Sequence, residues 1–151
     1  MHSYDESVRQ GRKIIEMDST FAIGHKQLGD AYLLKQMDKE AVAELQKAVQ
    51  LSGGSPICIA DLARAYVASG KMNEAVKLLS DLKKSSNAGF TNAPQIAMIY
   101  ASMGDNDQAM GWLERAYEER FNPSILLRSG FDPLRSDPRF EELRRRIGLP
   151  K

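Results

Sequence analysis

Apolar and small residues recur along this chain at spacings of three and four, the pattern of helices that bury one side. The first such stripe consists of His25, Leu28, Gly29 and Tyr32. The second stripe consists of Ala41, Val42, Leu45, Ala48 and Val49. A polar break, KQMD, separates the two stripes at 35–38. The pattern therefore predicts two helices joined by a short turn.

This pair of stripes recurs every 34 residues, and three repeats follow one another without a gap over 22–55, 56–89 and 90–123. Equivalent positions in the first helices hold Leu28-Gly29-Tyr32, Leu62-Ala63-Tyr66 and Ile96-Ala97-Tyr100. Equivalent positions in the second helices hold Ala41, Ala75 and Ala109, followed by Leu45, Leu79 and Leu113. An internal period of this length indicates stacked helix pairs. The predicted pairs are 21–35/38–51, 56–69/72–84 and 91–103/107–121.

Small residues at fixed places in the period have a physical reason. Gly29, Ala63 and Ala97 stand where the two helices of a pair must approach each other, and a bulky side chain there would force them apart. The tyrosine three positions later fills the wider space beside the contact. We therefore expect Tyr32, Tyr66 and Tyr100 to be largely buried in equivalent places.

The two ends of the chain depart from the period in different ways. Residues 3–18 align with the second helix of a repeat, with Ser3 and Glu6 in a capping-box pattern and Gly11 in a slot that elsewhere holds leucine. This helix is expected to pack less well, either as a half-repeat of a longer protein or as a genuine N-terminal cap. After residue 123 the period fades. Residues 124–151 are expected to form a capping region whose helix begins after Asp137 and ends at Gly148.

The repeated Leu-Gly-Tyr pattern resembles the tetratricopeptide repeat (TPR) family. The resemblance implies an all-α, right-handed superhelical solenoid of antiparallel helix pairs, with three TPR units and flanking helices in a single domain, 1–151. Two family features are not kept: the large aromatic slot holds His25, Ile59 and Ala93, and the closing proline is replaced by Gly53, Asn87 and Phe121.

The tail DPLRSDPRF with GLP after its helix resembles the end of TPR regions in bacterial multidomain regulators, such as protein kinases, adenylate cyclases and transcriptional activators. That resemblance implies a regulatory or scaffold region at the C-terminus of a larger bacterial protein.

In TPR proteins, one stripe of each first helix faces a concave groove that holds a peptide or a helix. The resemblance implies that the groove is lined here by Ile23, Lys26, Asp30, Leu33, Ile57, Arg64, Val67 and Met98. Most of these residues are apolar, and the charges among them have both signs. The Lys and Asn clamp that holds a C-terminal carboxylate in some relatives is not reproduced. We therefore expect a partner helix or peptide to bind through apolar contacts.

Composition narrows the remaining functions. The formal net charge is +1, which gives no global field for nucleic acid, and no apolar run is long enough to span a membrane. The two histidines and single cysteine stand in no metal-ligand or catalytic pattern, so neither a cofactor, a metal nor an enzyme is expected. His25 is expected to be structural, and the Arg144–Arg146 run a solvated helix face.

A protein partner is therefore the main expectation, in the cytoplasm unless targeting lies outside this stretch. A homodimer formed through the N-terminal half-repeat is the alternative, and an enzyme with an unfamiliar concave site is less favoured.

Overall fold

The computed structural model describes residues 2–86 and 92–149, and only the backbone of His2. The α-helices are α1 His2–Met17, α2 Ala22–Leu34, α3 Asp38–Leu51, α4 Pro56–Ala68, α5 Met72–Ser86, α6 Ala93–Ser102, α7 Asn106–Glu118 and α8 Pro138–Ile147. Two 3-10 helices, Pro123–Leu127 and Ser129–Leu134, precede α8. The described residues contain no strand, so the predicted all-α repeat is confirmed. The predicted start at 91 and the boundary at 89/90 lie outside the described residues.

The chain forms two compact units, 1–78 and 79–151, with the division inside α5. In the first unit, α1, α2, α3 and α4 share one apolar core. Its buried members are Val8, Leu28, Ala31, Tyr32, Ala41, Val42, Leu45, Leu62 and Ala65. Val8 belongs to this core, so the expectation that it had lost its packing partner is wrong.

Close helix approach at the small slots is visible at Gly29. A Cβ atom on Gly29 would lie 2.5 Å from Cγ of Leu45 in α3, closer than any side chain tolerates. Ala41 and Ala63, which occupy related small slots, are wholly buried. The small residues therefore set the spacing of the helix pair, as the sequence predicts.

The three repeat tyrosines occupy equivalent places. The hydroxyl of Tyr32 accepts a hydrogen bond from Arg12 at 3.0 Å, and that of Tyr66 accepts one from Gln46 at 3.0 Å. In the second unit, Lys83 donates to the hydroxyl of Tyr100. Tyr32 is buried, but the other two rings are only half-buried, so their predicted burial is too high.

These hydrogen bonds also fix the role of α1. Arg12 stands 34 residues before Gln46, so α1 takes the place of a second helix in front of α2. Gly11 is buried, and a Cβ there would lie 3.1 Å from Cβ of Leu28 and 3.2 Å from its Cα. Gly11 therefore permits close packing, and the expectation of poorer packing is wrong. The capping box is also wrong, because α1 already includes Ser3 and the carboxylate of Glu6 pairs with Arg9.

In the second unit the core positions of the period continue beyond residue 123. Each of the following stands 34 residues after a core position of the third repeat: Gly130, Phe131, Leu134, Leu143 and Ile147. The first four are buried and Ile147 is half-buried. The expectation that the period fades is therefore wrong for the core. It fades only in form, because two 3-10 helices replace the first helix of a fourth repeat.

Phenylalanine explains this change of form. Phe131 fills the slot that holds Gly29, Ala63 or Ala97 in the other repeats, and its ring stacks on Phe140 of α8 with centroids 6.2 Å apart. So large a side chain is incompatible with the close helix pairing of the other repeats. The start and end of α8 are as predicted: the Asp137 carboxylate accepts from the Arg139 backbone N–H at 2.9 Å, and Gly148 ends the helix at φ +81°.

The small slots generate a stability prediction. Ala75 is wholly buried, whereas its neighbour Glu74 is exposed. Ala75→Leu should overpack the contact and lower the free energy of unfolding by about 1–3 kcal/mol. Glu74→Gln should leave it nearly unchanged. Equal denaturation midpoints for the two variants would refute the assignment of the second-helix stripe.

Two leucines of the 3-10 segment test the fourth repeat. Leu134 is wholly buried, and Leu127 is 54% exposed. Leu134→Ala should lower the free energy of unfolding by about 2–5 kcal/mol, because it empties a core position. Leu127→Ala should change it by less than about 0.5 kcal/mol. If urea melts show similar losses for both, the segment is not part of a repeat core.

Candidate functional site

Side chains from the first helices of two repeats meet on one face of the first unit. Nζ of Lys26 in α2 lies 3.3 Å from Oδ2 of Asp61 in α4, which places the two helices side by side. We call this surface the α2–α4 face. It contains the seven predicted groove residues of this unit: Ile23, Lys26, Asp30 and Leu33 of α2, with Ile57, Arg64 and Val67 of α4.

A compact charge network occupies the middle of the α2–α4 face. Lys26 pairs with Asp30 at 2.8 Å, one turn along α2, and with Asp61 across the two helices. Arg64 pairs with Asp61 at 3.1 Å, one turn along α4. Asp61 is 0% exposed, and a buried carboxylate requires such partners. Two cations and two anions give the network a formal charge of zero.

Asp61 is the member that the predicted site omits. It lies in the slot beside the groove stripe, and it joins the cations of two different helices. The helix spacings of Lys26–Asp30 and Asp61–Arg64 predict pairing within each helix. Only the packing of α2 on α4 adds the third contact, which the sequence does not reveal.

The apolar members of the α2–α4 face differ in how much they contribute to the core. Ile23 is 51% exposed. Ile57 and Val67 are half-buried, and Leu33 packs against the core of the unit. The face therefore offers apolar surface around the neutral charge network.

Met98 does not belong to an accessible surface. It lies on α6 in the second unit and is wholly buried. A Cβ atom on Gly130 would lie 2.4 Å from Sδ of Met98, so the 3-10 segment lies directly on this side chain. The expectation that Met98 lines a groove is wrong, because the fourth repeat covers it.

His25 is held on both ring nitrogens. Nδ1 lies 2.6 Å from Oε2 of Glu44, and Nε2 lies 3.0 Å from the backbone oxygen of Ser19. Glu44 also accepts from Lys47 at 3.2 Å. The buried ring thus joins α2 to α3 and to the preceding turn, which is the structural role predicted for it. Over the described residues no group of three or more metal-binding side chains occurs.

The arginines of α8 are engaged with neighbouring carboxylates. Arg144 and Arg145 pair with Glu141 and Glu142 within the helix. Arg146 donates to both carboxylate oxygens of Glu114 on α7, at 2.9 and 3.0 Å, and this contact raises the pKa of the guanidinium. The run is a paired helix face, in line with the solvated face predicted for it.

Comparison with known families follows from this geometry. A family model described as tetratricopeptide repeat matches residues 14–89, and a second tetratricopeptide repeat model matches residues 95–123. The first match alone spans half of the chain, and the chain belongs to the tetratricopeptide repeat family. Repeats of this family generally mediate protein–protein interaction or scaffolding and are typically non-catalytic. No curated protein matches the chain.

Of the helices described, none has the length and apolar character needed to cross a bilayer.

The cap of α8 predicts a pH effect on the second unit. Hydrogen bonds from the Arg139 side chain and backbone N–H hold the pKa of Asp137 below its ordinary value of 3.8. The folded state therefore favours the ionised carboxylate. This stabilisation is complete above the ordinary value and is lost as the pH falls through the lower folded value.

We expect the wild-type melting temperature to fall more steeply below pH 4 than that of Asp137→Asn, whose amide can still cap the helix but does not titrate. Thermal melts from about pH 2 to 6 measure the difference. Parallel curves for the two proteins would show that the cap carboxylate does not contribute.

Proposed function

We propose that this protein is an interaction module that binds an apolar helical segment of a partner protein on the α2–α4 face. The observation that carries the proposal is the exposure of Ile23, which is 51% even though it lies beside a network of buried ion pairs. Ile57 and Val67 continue the apolar surface on α4.

The charge network defines the kind of partner. Lys26 and Arg64 are both engaged with Asp61, and the group has a formal charge of zero. Recruiting either cation to a partner's carboxylate would weaken the pairing of a buried aspartate, which is costly. A partner that leaves the network intact and covers the apolar residues around it is favoured. This argues against capture of a charged chain terminus.

A helix suits the shape of this surface. α2 and α4 lie side by side, with apolar residues at both ends of each stripe: Ile23 and Leu33 on α2, Ile57 and Val67 on α4. An amphipathic helix presents apolar anchors three, four and seven residues apart, and such anchors can reach both stripes.

The resemblance of the tail to bacterial regulators supports a finer assignment. We infer that the module serves as the regulatory or scaffold part of a larger bacterial protein. The reading frame of the parent gene tests this, and a frame without an upstream regulatory or catalytic domain would contradict it.

Two matched variants test the binding face. Ile23→Glu with Val67→Glu should stay folded and lose the partner, because burying one such apolar side chain contributes about 1.5–3 kcal/mol, roughly ten- to a hundredfold in affinity. Val76→Glu is the control, since Val76 is 49% exposed on α5, a second helix of the same unit. Circular dichroism checks folding, and pull-down of the natural partner from the source cell checks binding.

A third variant separates the α2–α4 face from α8. Substitution of Arg144–Arg146 should change binding little, and chiefly at low salt. If this variant loses the partner while the Ile23, Val67 variant retains it, the binding surface is α8 and the proposal is wrong.

Self-association through α1 is the second candidate. It is favoured by Met17, which is 80% exposed, and by Tyr4, which is also exposed on this helix. Light scattering over a range of protein concentrations tests it, and a monomer at every concentration excludes it.

A further inference from the structure

The first unit shows how a first helix is held by the two helices behind it. α2 lies on α3 and α4, where His25 contacts Glu44 of α3 at 2.6 Å and Lys26 contacts Asp61 of α4 at 3.3 Å. Beneath α2, the residues Ala41, Asp61 and Ala65 are wholly buried. The contact therefore combines small residues, which permit close approach, with two acidic side chains that meet cationic or hydrogen-bonding groups.

The same arrangement exists one period earlier, between α1 and α2. Subtracting 34 from Ala41, Glu44, Asp61 and Ala65 gives Ser7, Gln10, Gln27 and Ala31. The shared register is physical as well as numerical, because Arg12 bonds Tyr32 as Gln46 bonds Tyr66.

These residues line a cleft of about 290 Å³, which we call the α1–α2 cleft. It is formed by Ser7, Gln10, Gln27, Asp30, Ala31 and Leu34. A neighbouring cleft of about 410 Å³ shares Leu34 and adds Tyr4. Gln10 and Gln27 are exposed, whereas their equivalents Glu44 and Asp61 lie under α2. The surface that would support a first helix is thus open to an incoming one.

We propose that the α1–α2 cleft binds an α-helix of a partner protein, in the position that α2 takes on α3 and α4. This goes beyond the proposed function, because it is a second binding surface with its own chemistry. Ser7 keeps the contact small, as Ala41 does beneath α2. Tyr4 and Leu34 supply apolar surface at one end of the cleft.

The two glutamines define the chemistry of the incoming helix. Where α2 meets the carboxylates of Glu44 and Asp61, the α1–α2 cleft presents the amides of Gln10 and Gln27. A lysine buried against an amide loses the compensation that a carboxylate gives. An amide both donates and accepts, so it pairs well with another amide or a hydroxyl. The partner helix should therefore carry neutral polar residues at the two positions where α2 carries His25 and Lys26.

The internal repeat supplies the probe for a direct test. One labelled peptide has the sequence of residues 20–37, and a second carries His25→Gln and Lys26→Gln within that sequence. Fluorescence anisotropy measures the affinity of both peptides for the wild-type protein and for a Gln10→Glu, Gln27→Asp variant. That variant restores the two acidic side chains found beneath α2.

The wild-type protein should prefer the neutral peptide, and the acidic variant should prefer the unmodified peptide. Each preference should be roughly tenfold or more, since charge-assisted hydrogen bonds are the strong ones. The α2–α4 variant Val67→Glu should bind the neutral peptide as the wild type does. Its normal binding would separate failure of this proposal from failure of the proposed function.

A fusion keeps the test decisive if the isolated peptides are too weakly helical to bind. Residues 20–37, placed directly before Tyr4, reproduce the 34-residue register. The fusion with the neutral segment should raise the melting temperature of the wild type more than the fusion with the unmodified segment. The order should reverse in the acidic variant.

Two results would overturn the proposal. The first is an absence of peptide binding together with no change in melting temperature in either fusion. The second is a concentration-dependent dimer, seen by light scattering, that the neutral peptide dissociates, because that result assigns the cleft to a second molecule of this chain.

Discussion

Close approach of paired helices is the constraint on which this architecture depends. At Gly29 the distance to Leu45 leaves no room for even one additional carbon, and alanine repeats the small slot one and two periods later. Where the slot is filled by Phe131, the first helix gives way to two 3-10 helices, although the surrounding positions stay buried. One side-chain volume thus decides whether a repeat is a helix pair or a degenerate cap.

The same close packing creates the character of the α2–α4 face. Bringing α2 against α4 buries Asp61, and the buried carboxylate then holds Lys26 and Arg64. Charges that would look available to a ligand in the sequence are committed to each other in the fold. What remains for a partner is apolar surface and one neutral network, which accounts for the kind of partner proposed.

Local and periodic features were predictable from the sequence, and contacts between distant helices were not. The 34-residue phase located the helix pairs, the small slots and the cap of α8, because each depends on spacing along the chain. The phase also places Phe131 and Leu134 in core positions, but the bulk of Phe131 obscures the repeat. Burial of Met98 depends on Gly130, and the link from Lys26 to Asp61 depends on helix packing; a one-helix stripe contains neither.

Hydrogen–deuterium exchange on the purified complex with the natural partner tests the central claim most directly. The account predicts added protection in residues 22–34 and 56–68, the helices of the α2–α4 face, with little change in residues 138–147. Protection confined to residues 138–147, with 22–34 and 56–68 unchanged, would contradict it.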